Sequence, residues 1–273
     1  MMSTAKRTVM GMAIMATTRT DYVDLHCHLL PGLDDGPQTL AQSVIMARQA
    51  VADGIRYALA TPHHLDRHYQ NPEPVVTAAV AVLQAELDRQ QVPLTVFASQ
   101  EVHLCEDLVT SSQQLLGIDA AQHYLLLELP HEHVPSYVAQ VVFELLQQGT
   151  VPVIAHPERN TEMIAHPERL YELVQQGCLA QVTAGSLVGN FGRQVKCTAL
   201  ELVKCGLVQV IATDAHLMPQ RRFMLRAGYQ ALAHLDESCV EQFEANARRL
   251  LNGETVAATA ISRPSQRRKF WLF

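Results

Sequence analysis

The sequence predicts a single-domain α/β fold, a barrel of parallel strands related to the (β/α)8 type. Short, nearly continuous apolar runs alternate with longer segments of helical periodicity, as expected for a parallel sheet covered by helices. The connecting segments are short, and no linker divides the chain. Nearly every apolar run ends in a polar residue, which favours a barrel, because a doubly wound sheet would concentrate its site at one switch point.

Seven strands are predicted from these apolar runs, which are rich in β-branched and aliphatic residues. In chain order they are VDLHCH (23–28), YALATP (57–62), LTVFASQEV (94–102), YLLLELP (124–130), VPVIAHP (151–157), LAQVTAG (179–185) and VQVIATDAH (208–216).

Helices are predicted where apolar residues recur with a period of about 3.6 residues. These segments are 40–53, 74–90, 136–148, 167–176, 192–205, 220–233 and 237–250. The pentapeptide AHPER occurs twice, at 155–159 after an apolar strand and at 165–169. In the second copy Pro167 suits the first turn of a helix, so only the first copy places its histidine like a site residue.

Composition and charge exclude several classes of protein. The chain has 273 residues, 48% of them hydrophobic and 18% charged, so neither long disorder nor disulfide staples are expected. Lys and Arg number 21 against 27 Asp and Glu, a net charge of -6, which argues against a nucleic-acid partner. No apolar run is long enough for a transmembrane segment. The six cysteines lie far apart without a C-x-x-C pair, which indicates reduced thiols and a cytoplasmic location.

Both ends of the chain lie outside the predicted domain, which spans residues 22–250. Residues 1–21 are interpreted as a flexible extension, because the apolar stretch after Lys6 and Arg7 is short for a signal peptide and no convincing cleavage site follows. Residues 251–273 form a tail that is basic and then aromatic. The tail is expected to be flexible or to pack on the domain, with docking on a membrane or partner as the alternative.

Side chains typical of metal ligands end the predicted strands. His26 and His28 are two residues apart and therefore share one face of the first strand. Asp214 and His216 have the same spacing at the last strand. Since parallel strands of a barrel converge at their carboxyl ends, nine side chains are expected in one cleft. They are His26, His28, Asp35, His63, Glu101, Glu128, His156, Asp214 and His216.

Five imidazoles and four carboxylates without a thiolate suit Mn, Fe or Zn better than a structural zinc site. The alternative is that these groups merely pack at the barrel ends. That would bury four carboxylates without partners, which costs several kcal/mol each unless they lose their charge. The sequence therefore predicts a metal site.

Five segments carry a resemblance to a known family. DLHCHLLPGLDDGP (24–37), ATPHH (60–64), QEV (100–102), IAHPERN (154–160) and TDAH (213–216) resemble motifs of the polymerase-and-histidinol-phosphatase (PHP) superfamily. More narrowly, they are similar to the manganese-dependent protein-tyrosine phosphatases of bacterial capsule and exopolysaccharide loci. The resemblance covers roughly residues 22–250 and implies a distorted (β/α)7 barrel, the PHP fold. It also implies up to three divalent ions, Mn2+ being expected and Fe or Zn possible.

The resemblance implies a role for each site residue. The nine side chains named above match the family's metal ligands, with Glu101 as a bridge between two ions. Arg159 of HPER and Arg221, shortly after DAH, match catalytic arginines that hold phosphate or assist the leaving group. Arg222 is adjacent to Arg221, so spacing alone selects between them.

The expected function is hydrolysis of phosphotyrosine, with a hydroxide that bridges two metal ions as the nucleophile. The resemblance implies that the substrate is a tyrosine kinase that controls polysaccharide export. One alternative is a small-molecule phosphatase, such as a histidinol-phosphate phosphatase, that uses the same metals. The other is a non-catalytic, metal-stabilised docking module. The P-G-x-D-D-G motif and the compact length favour the phosphotyrosine phosphatase over the small-molecule phosphatase, and the full ligand set argues against the docking module. The oligomeric state stays open.

Other reactive side chains receive plainer interpretations. Cys27 lacks the arginine that a cysteine-based phosphatase needs, since Leu33 occupies that position, and is expected to pack. His64 is either a supporting group or exposed. His131 and His133 are expected in a loop, with a place at the pocket rim as the alternative. The remaining histidines are expected to be solvated or to cap helices: His68, His103, His123, His166 and His234.

Overall fold

Parallel strands form the centre of the molecule. The computed structural model describes residues 21–111, 115–257 and 259–265, so residues 1–20 of the predicted extension and 266–273 of the predicted tail lie outside it. The strands are β1 (Tyr22–Cys27), β2 (Ile55–Ala60), β3 (His63–His64), β4 (Thr95–Ala98), β5 (Glu101–His103), β6 (Tyr124–Glu128), β7 (Val151–Ala155), β8 (Leu179–Thr183) and β9 (Val210–Ala212). One sheet has the order β1-β2-β4 and the other β3-β5-β6-β7-β8-β9.

The strand predicted at 94–102 is broken in the middle, and the strand predicted at 57–62 already ends at Ala60 and is followed by a separate short strand, β3, that was not predicted. Thr61 and Pro62 separate β2 from β3, because proline cannot donate to the next ladder. Ser99 and Gln100 separate β4 from β5 at the same level. The amides of Ser99 and Glu101 donate to the carbonyls of Ala60 and Pro62, so the neighbouring chains stay paired through the break. We therefore count β2 with β3 as one strand of the barrel and β4 with β5 as another. The nine strands then occupy seven strand positions, which follow one another in chain order.

The first and last strand positions meet through a short contact. Cys27 and Ala215 form an isolated parallel bridge, and the amide of Asp214 donates to the carbonyl of His26 at 2.7 Å. The buried carboxylate of Asp24 accepts hydrogen bonds from the amide and the hydroxyl of Thr213. This closure gives the distorted, seven-stranded α/β barrel that the sequence predicts.

Helices cover the outside of the strands. They are α1 (Leu40–Asp53), α2 (Glu73–Arg89), α3 (Leu108–Ser111), α4 (Val138–Gln147), α5 (Thr161–Ala165), α6 (Glu168–Gln176), α7 (Ala184–Val188), α8 (Arg193–Lys204), α9 (Leu225–Ala233) and α10 (Glu237–Asn252). All seven predicted helices are present, although α9 begins five residues later than predicted because Pro219–Arg221 form a separate 3-10 turn. None of the described helices has the length and apolarity needed to cross a membrane.

Apolar side chains fill the barrel beneath the polar strand ends. Along β6, Tyr124 and Leu126 belong to a buried cluster that also contains Val153 of β7 and Leu250 of α10. Glu128 follows at the same spacing of two residues and therefore points to the same side of the strand. The barrel interior is thus apolar along its length and charged at its carboxyl end.

The end of the chain packs on the barrel rather than continuing its pattern. Helix α10 runs to Asn252, two residues beyond the predicted domain boundary. Ser262 donates to the carbonyl of Cys205, and Ser265 donates to the carboxylate of Glu201 on α8. The described part of the tail is therefore held against the helical layer.

Candidate metal centre

All nine side chains singled out in the sequence meet at the carboxyl ends of the strands. Eight of them form three overlapping groups whose donor atoms lie within 4.8 Å of one another: His28, Asp35, His63 and His216; His26, His28, Glu101 and Asp214; His63, Glu101 and Glu128. Each pair of groups shares one residue. The ninth, His156, places its Nε2 atom 2.8 Å from Glu101 Oε1.

Three of the histidines are oriented by a hydrogen bond on the far side of the ring. The Nδ1 atom of His26 lies 2.9 Å from Gln181 Oε1, and that of His28 lies 2.7 Å from Asp34 Oδ2. The Nδ1 atom of His216 lies 3.0 Å from the carbonyl oxygen of Asp214. An Nδ1–H that donates to such an acceptor leaves the Nε2 lone pair facing the cluster, which is how metal-binding histidines are held.

Glu101 lies at the centre of the cluster and provides a test of whether a metal fits. Its Oε2 atom is buried and has no hydrogen-bond partner among the described residues. Nevertheless it lies 3.1 Å from His26 Nε2, 3.1 Å from His63 Nδ1 and 3.3 Å from His28 Nε2. Several donor atoms that face a common point without hydrogen-bonding geometry are arranged as ligands of a cation, so the residues fit a metal ion.

The pKa shifts of the buried side chains indicate that the cluster requires positive charge beside its carboxylates. Burial alone would lower the pKa of His26, but the carboxylates of Glu101 and Asp214 outweigh it and raise that pKa. Burial would raise the pKa values of Glu101 and Asp214, yet the neighbouring imidazoles hold both well below their usual range, with two arginines assisting at Asp214. Buried carboxylates that stay ionised need adjacent cations, which divalent ions would supply.

His216 behaves in the opposite way. Its burial and the neighbouring His28 lower its pKa to about 4. The two rings are 3.9 Å apart between centroids. His216 is therefore a neutral imidazole near neutral pH, which is the form that binds metals.

Two arginines share one carboxylate of the site. The Nη2 atom of Arg221 lies 2.7 Å and 2.6 Å from the two carboxylate oxygens of Asp214, and Arg159 donates to Oδ2 of the same group. The Arg159 guanidinium also lies 4.9 Å above the ring of Phe191. Arg222 is exposed, and among the described ion pairs of Asp214 only Arg159 and Arg221 appear as arginine partners, so the geometry favours Arg221 over Arg222 as the arginine of the site.

Two site residues have a left-handed backbone that non-glycine residues rarely adopt. His156 has φ +34°, and Asp214 has φ +49°. His156 directly follows β7, and Asp214 lies two residues after the end of β9. Sparsely populated backbone conformations of this kind cluster at functional sites.

The loop after β1 is held close to the strand by a glycine. A Cβ atom on Gly36 would lie 2.8 Å from the carbonyl oxygen of His28 and 2.9 Å from Asp34 Oδ1. The amide of Gly36 donates to that same Asp34 oxygen. Glycine at this position therefore keeps Asp34 and Asp35 against the cluster.

Several supporting residues were not identified from the sequence. Asp24, Asp34 and Gln181 are buried and orient the cluster, but their partners lie on other strands or loops, so only the adjacency of Asp34 to Asp35 could have suggested one of them. His103, interpreted as solvated or capping, lies 3.3 Å from Glu128 Oε2 instead. His131 stacks on His156 at 6.0 Å, which places it at the pocket rim, the alternative interpretation.

The remaining reactive side chains have structural roles. His64 is buried and accepts a hydrogen bond from the amide of Asn71, so it anchors the loop after β3. Cys27 is buried, its thiol donates to the carbonyl of Leu59, and burial raises its pKa well above the usual range. A thiol in that state does not act as a nucleophile.

Comparison with known proteins identifies one family and several relatives. Residues 22–252 match the family described as capsular polysaccharide synthesis, CpsB/CapC. The tyrosine-protein phosphatase YwqE of Bacillus subtilis is 38% identical over 254 residues, covering 92% of this chain and 99% of that protein. The tyrosine-protein phosphatase CpsB of Streptococcus agalactiae is 22% identical over 217 residues, covering 77% of this chain and 89% of that protein.

Solved structures agree with the fold. One crystal structure comes from work on YwqE from Bacillus subtilis and CpsB from Streptococcus pneumoniae, which are called metal-dependent tyrosine phosphatases. It superposes on this chain with a TM-score of 0.86 and 38% sequence identity. The match covers 90% of this chain and 100% of the chain in the crystal structure. The phosphotriesterase homology protein of Escherichia coli has a TM-score of 0.54 and 11% identity over 86% of this chain and 100% of its own, and this similarity shows the fold alone.

Proposed function

The chain belongs to the CpsB/CapC family of capsular polysaccharide synthesis, and from that premise we propose that it is a metal-dependent phosphatase that removes phosphate from tyrosine in a protein substrate. The observation that carries this proposal is the convergence of five imidazoles and four carboxylates at the end of a parallel barrel, with two arginines beside them. Relatives named as tyrosine-protein phosphatases support the choice of substrate.

We assign the nine converging side chains as ligands of up to three divalent ions, Mn2+ being the ion expected. The three overlapping groups of donor atoms support that number. When bound, the ions would supply positive charge for a phosphate dianion and a lowered pKa for coordinated water. His28, His63 and Glu101 each belong to two groups, which would suit them to hold neighbouring ions in a fixed relation.

The protein side of the mechanism then falls mainly to the two arginines. Asp214 holds Arg159 and Arg221 beside the cluster, where their remaining N–H groups can donate to the equatorial oxygens of the phosphoryl group. A tyrosine phenolate, with a pKa of about 10, leaves more easily than a serine alkoxide. The demand for a proton donor is therefore modest, and a hydrogen bond from Arg221 to the leaving oxygen would meet much of it.

The physiological substrate in this proposal is a tyrosine kinase that controls polysaccharide export, and the reaction takes place in the cytoplasm. Membership of the capsular polysaccharide family supports the first point. The second agrees with six cysteines that are all unpaired.

Phosphate release from three substrates tests the proposal. The Mn2+-loaded protein would be given a phosphotyrosine peptide, the same peptide with phosphoserine, and histidinol phosphate. We expect the largest kcat/KM with the phosphotyrosine peptide, because its leaving group is the most acidic. A preference for histidinol phosphate would keep the metal site but make the protein a small-molecule phosphatase. Activity on none of the three would favour a docking module.

A further inference from the structure

A pocket lies beside the metal centre and plays no part in the mechanism above. It has a volume of about 460 Å3 and is lined by Gln49 of α1 and by residues of the loop after β9. The loop residues are His216, Leu217, Met218, Pro219, Arg222 and Phe223. We refer to it as the 216–223 pocket. Its volume is within the range of roughly 300–1,000 Å3 found for ligand pockets. His216 is a wall shared by this pocket and the cluster of predicted metal ligands.

The pocket opens on apolar side chains that the fold leaves uncovered. Leu217 is 38% exposed and Met218 is 45% exposed, and both directly follow His216. On α1, Ile45 is 52% exposed and lies one helical turn before Gln49, on the same face. Leu217 and Met218 line the pocket together, and exposed apolar residues grouped in this way, rather than scattered singly, mark surfaces that bind a partner.

The charge at the rim is positive and unopposed. Arg222 is exposed, and no ion pair in the described part of the chain includes it. The neighbouring Arg221 is engaged with Asp214 instead. An unpaired guanidinium beside an apolar pocket is complementary to a peptide that places an acidic side chain next to an apolar one.

We propose that the 216–223 pocket binds the segment of the protein substrate that flanks the phosphotyrosine, with an apolar side chain over Leu217 and Met218 and an acidic side chain on Arg222. This rests on the proposed phosphatase function. The site where the phosphate would bind and the pocket are joined at His216, so a peptide whose phosphotyrosine enters the cluster must continue across adjacent surface. The preferred substrate class is therefore a phosphotyrosine peptide with an apolar and an acidic residue beside the phosphotyrosine, whereas a small aryl phosphate would use the metal centre alone.

Steady-state kinetics with two sizes of substrate test the proposal. The small substrate is p-nitrophenyl phosphate, which cannot reach beyond the metal centre. The large ones are a phosphotyrosine peptide flanked by Leu and Glu and the same peptide with Ser at both positions. The variants are Met218→Ser and Arg222→Glu, in Mn2+-loaded protein. Matched controls are Val82→Ser, at a 57% exposed apolar residue of α2, and Arg193→Glu, at an exposed position of α8.

We expect each pocket variant to lower kcat/KM for the Leu/Glu peptide about fivefold, the factor that corresponds to about 1 kcal/mol of lost contact. Turnover of p-nitrophenyl phosphate and of the Ser peptide should stay within twofold of wild type, as should all rates of the controls. An equal loss with every substrate, or no loss with the Leu/Glu peptide, would overturn the proposal. So would a change in oligomeric state without a change in peptide kinetics, because the pocket would then join copies of the chain.

The same experiment separates this proposal from the function on which it rests. If the wild-type protein hydrolysed neither p-nitrophenyl phosphate nor the peptides, the phosphatase function itself would be wrong and the pocket proposal would fall with it. If it hydrolysed all of them and the variants behaved like wild type, only the pocket proposal would be wrong.

Discussion

At His156 and Asp214 the backbone stores conformational strain at the centre of the site. A non-glycine residue at positive φ costs about 1–3 kcal/mol and persists only where surrounding contacts enforce it. At Asp214 those contacts are two guanidinium groups and the amide hydrogen bond to His26. At His156 the contact is between the Nε2 atom and Glu101 Oε1, which are 2.8 Å apart. The fold therefore places these two side chains at a cost in stability, which is expected where position serves chemistry.

Asp214→Asn separates the charge of this residue from its backbone conformation. Asparagine tolerates the left-handed region, so the turn after β9 should survive. The loss of one carboxylate removes a proposed metal ligand and the partner of two arginines, and we expect kcat to fall at least about 100-fold. Phosphate release from a phosphotyrosine peptide measures it, and Glu241→Gln on the exposed face of α10 is the matched control. Full activity of Asp214→Asn would remove Asp214 from the site.

The three neighbouring arginines should differ sharply in their effect on a small substrate. Arg159→Ala and Arg221→Ala each remove a donor beside Asp214, and we expect kcat for p-nitrophenyl phosphate to fall about 10²–10³-fold. Arg222→Ala should leave that rate unchanged because its side chain is exposed. If Arg222→Ala had the larger effect, the assignment of Arg221 to the site would be wrong.

At the scale of elements, the barrel depends on how its first strand meets its last. Asp24 of β1 is fully buried, and burial raises its pKa to about 6 even though Thr213 donates two hydrogen bonds to it. These hydrogen bonds join residues 189 positions apart in the sequence. They lie close to the isolated parallel bridge between Cys27 and Ala215, which connects the first strand to the segment after the last one. Asp24 thereby holds together the two segments that carry His26 and Asp214.

Asp24→Ala should destabilise the fold. The amide and hydroxyl of Thr213 would be left buried without their acceptor, which costs about 1–3 kcal/mol in the free energy of unfolding. Urea unfolding in the presence of a chelator measures this without a contribution from bound metal. Glu241→Ala, at an exposed position of α10, should change the free energy of unfolding by no more than about 0.5 kcal/mol. Equal midpoints for Asp24→Ala and wild type would show that this closure adds nothing to stability.

The sequence predicts the strand positions and the cluster well because both depend on local spacing. His26 with His28, and Asp214 with His216, are brought to one face by a period of two residues. The contacts that orient them are not local: Gln181 lies 155 residues from His26 in the chain. The strand predicted at 57–62 includes Thr61 and Pro62, which lie outside β2, and the two-residue strand β3 is too short for a periodic pattern, so it appears only once the neighbouring strand is paired. The short helices α3, α5 and α7 have too few turns for a periodic pattern.

At the scale of the whole molecule, the metal centre should contribute to stability as well as to catalysis. The cluster lies where all seven strand positions converge, and its buried carboxylates repel one another when no cation compensates them. Any ligand that binds only the folded state stabilises it by mass action. The barrel is therefore expected to be held together at its carboxyl end by the ions it binds.

Chelation should lower the melting temperature reversibly. Mn2+ at about 100 times its dissociation constant stabilises by about 2.7 kcal/mol. Since a domain of this size shifts by about 2–4 °C per kcal/mol, we expect a fall of about 5–10 °C that is restored by added Mn2+. Differential scanning fluorimetry measures it. If neither the chelator nor added Mn2+ changed the melting temperature, the proposal that an ion binds at this site would be wrong.

The most direct test of the central claim is a titration of Mn2+ into chelated protein, with phosphate release from a phosphotyrosine peptide as the readout. Wild type and Glu101→Ala would be compared side by side, because Glu101 belongs to two of the three groups and contacts the ninth residue, His156. The account predicts that wild-type activity rises from background to a plateau as Mn2+ is added, while Glu101→Ala, although folded, stays at background. Full activity of the chelated wild type, or a titration of Glu101→Ala that follows wild type, would contradict it.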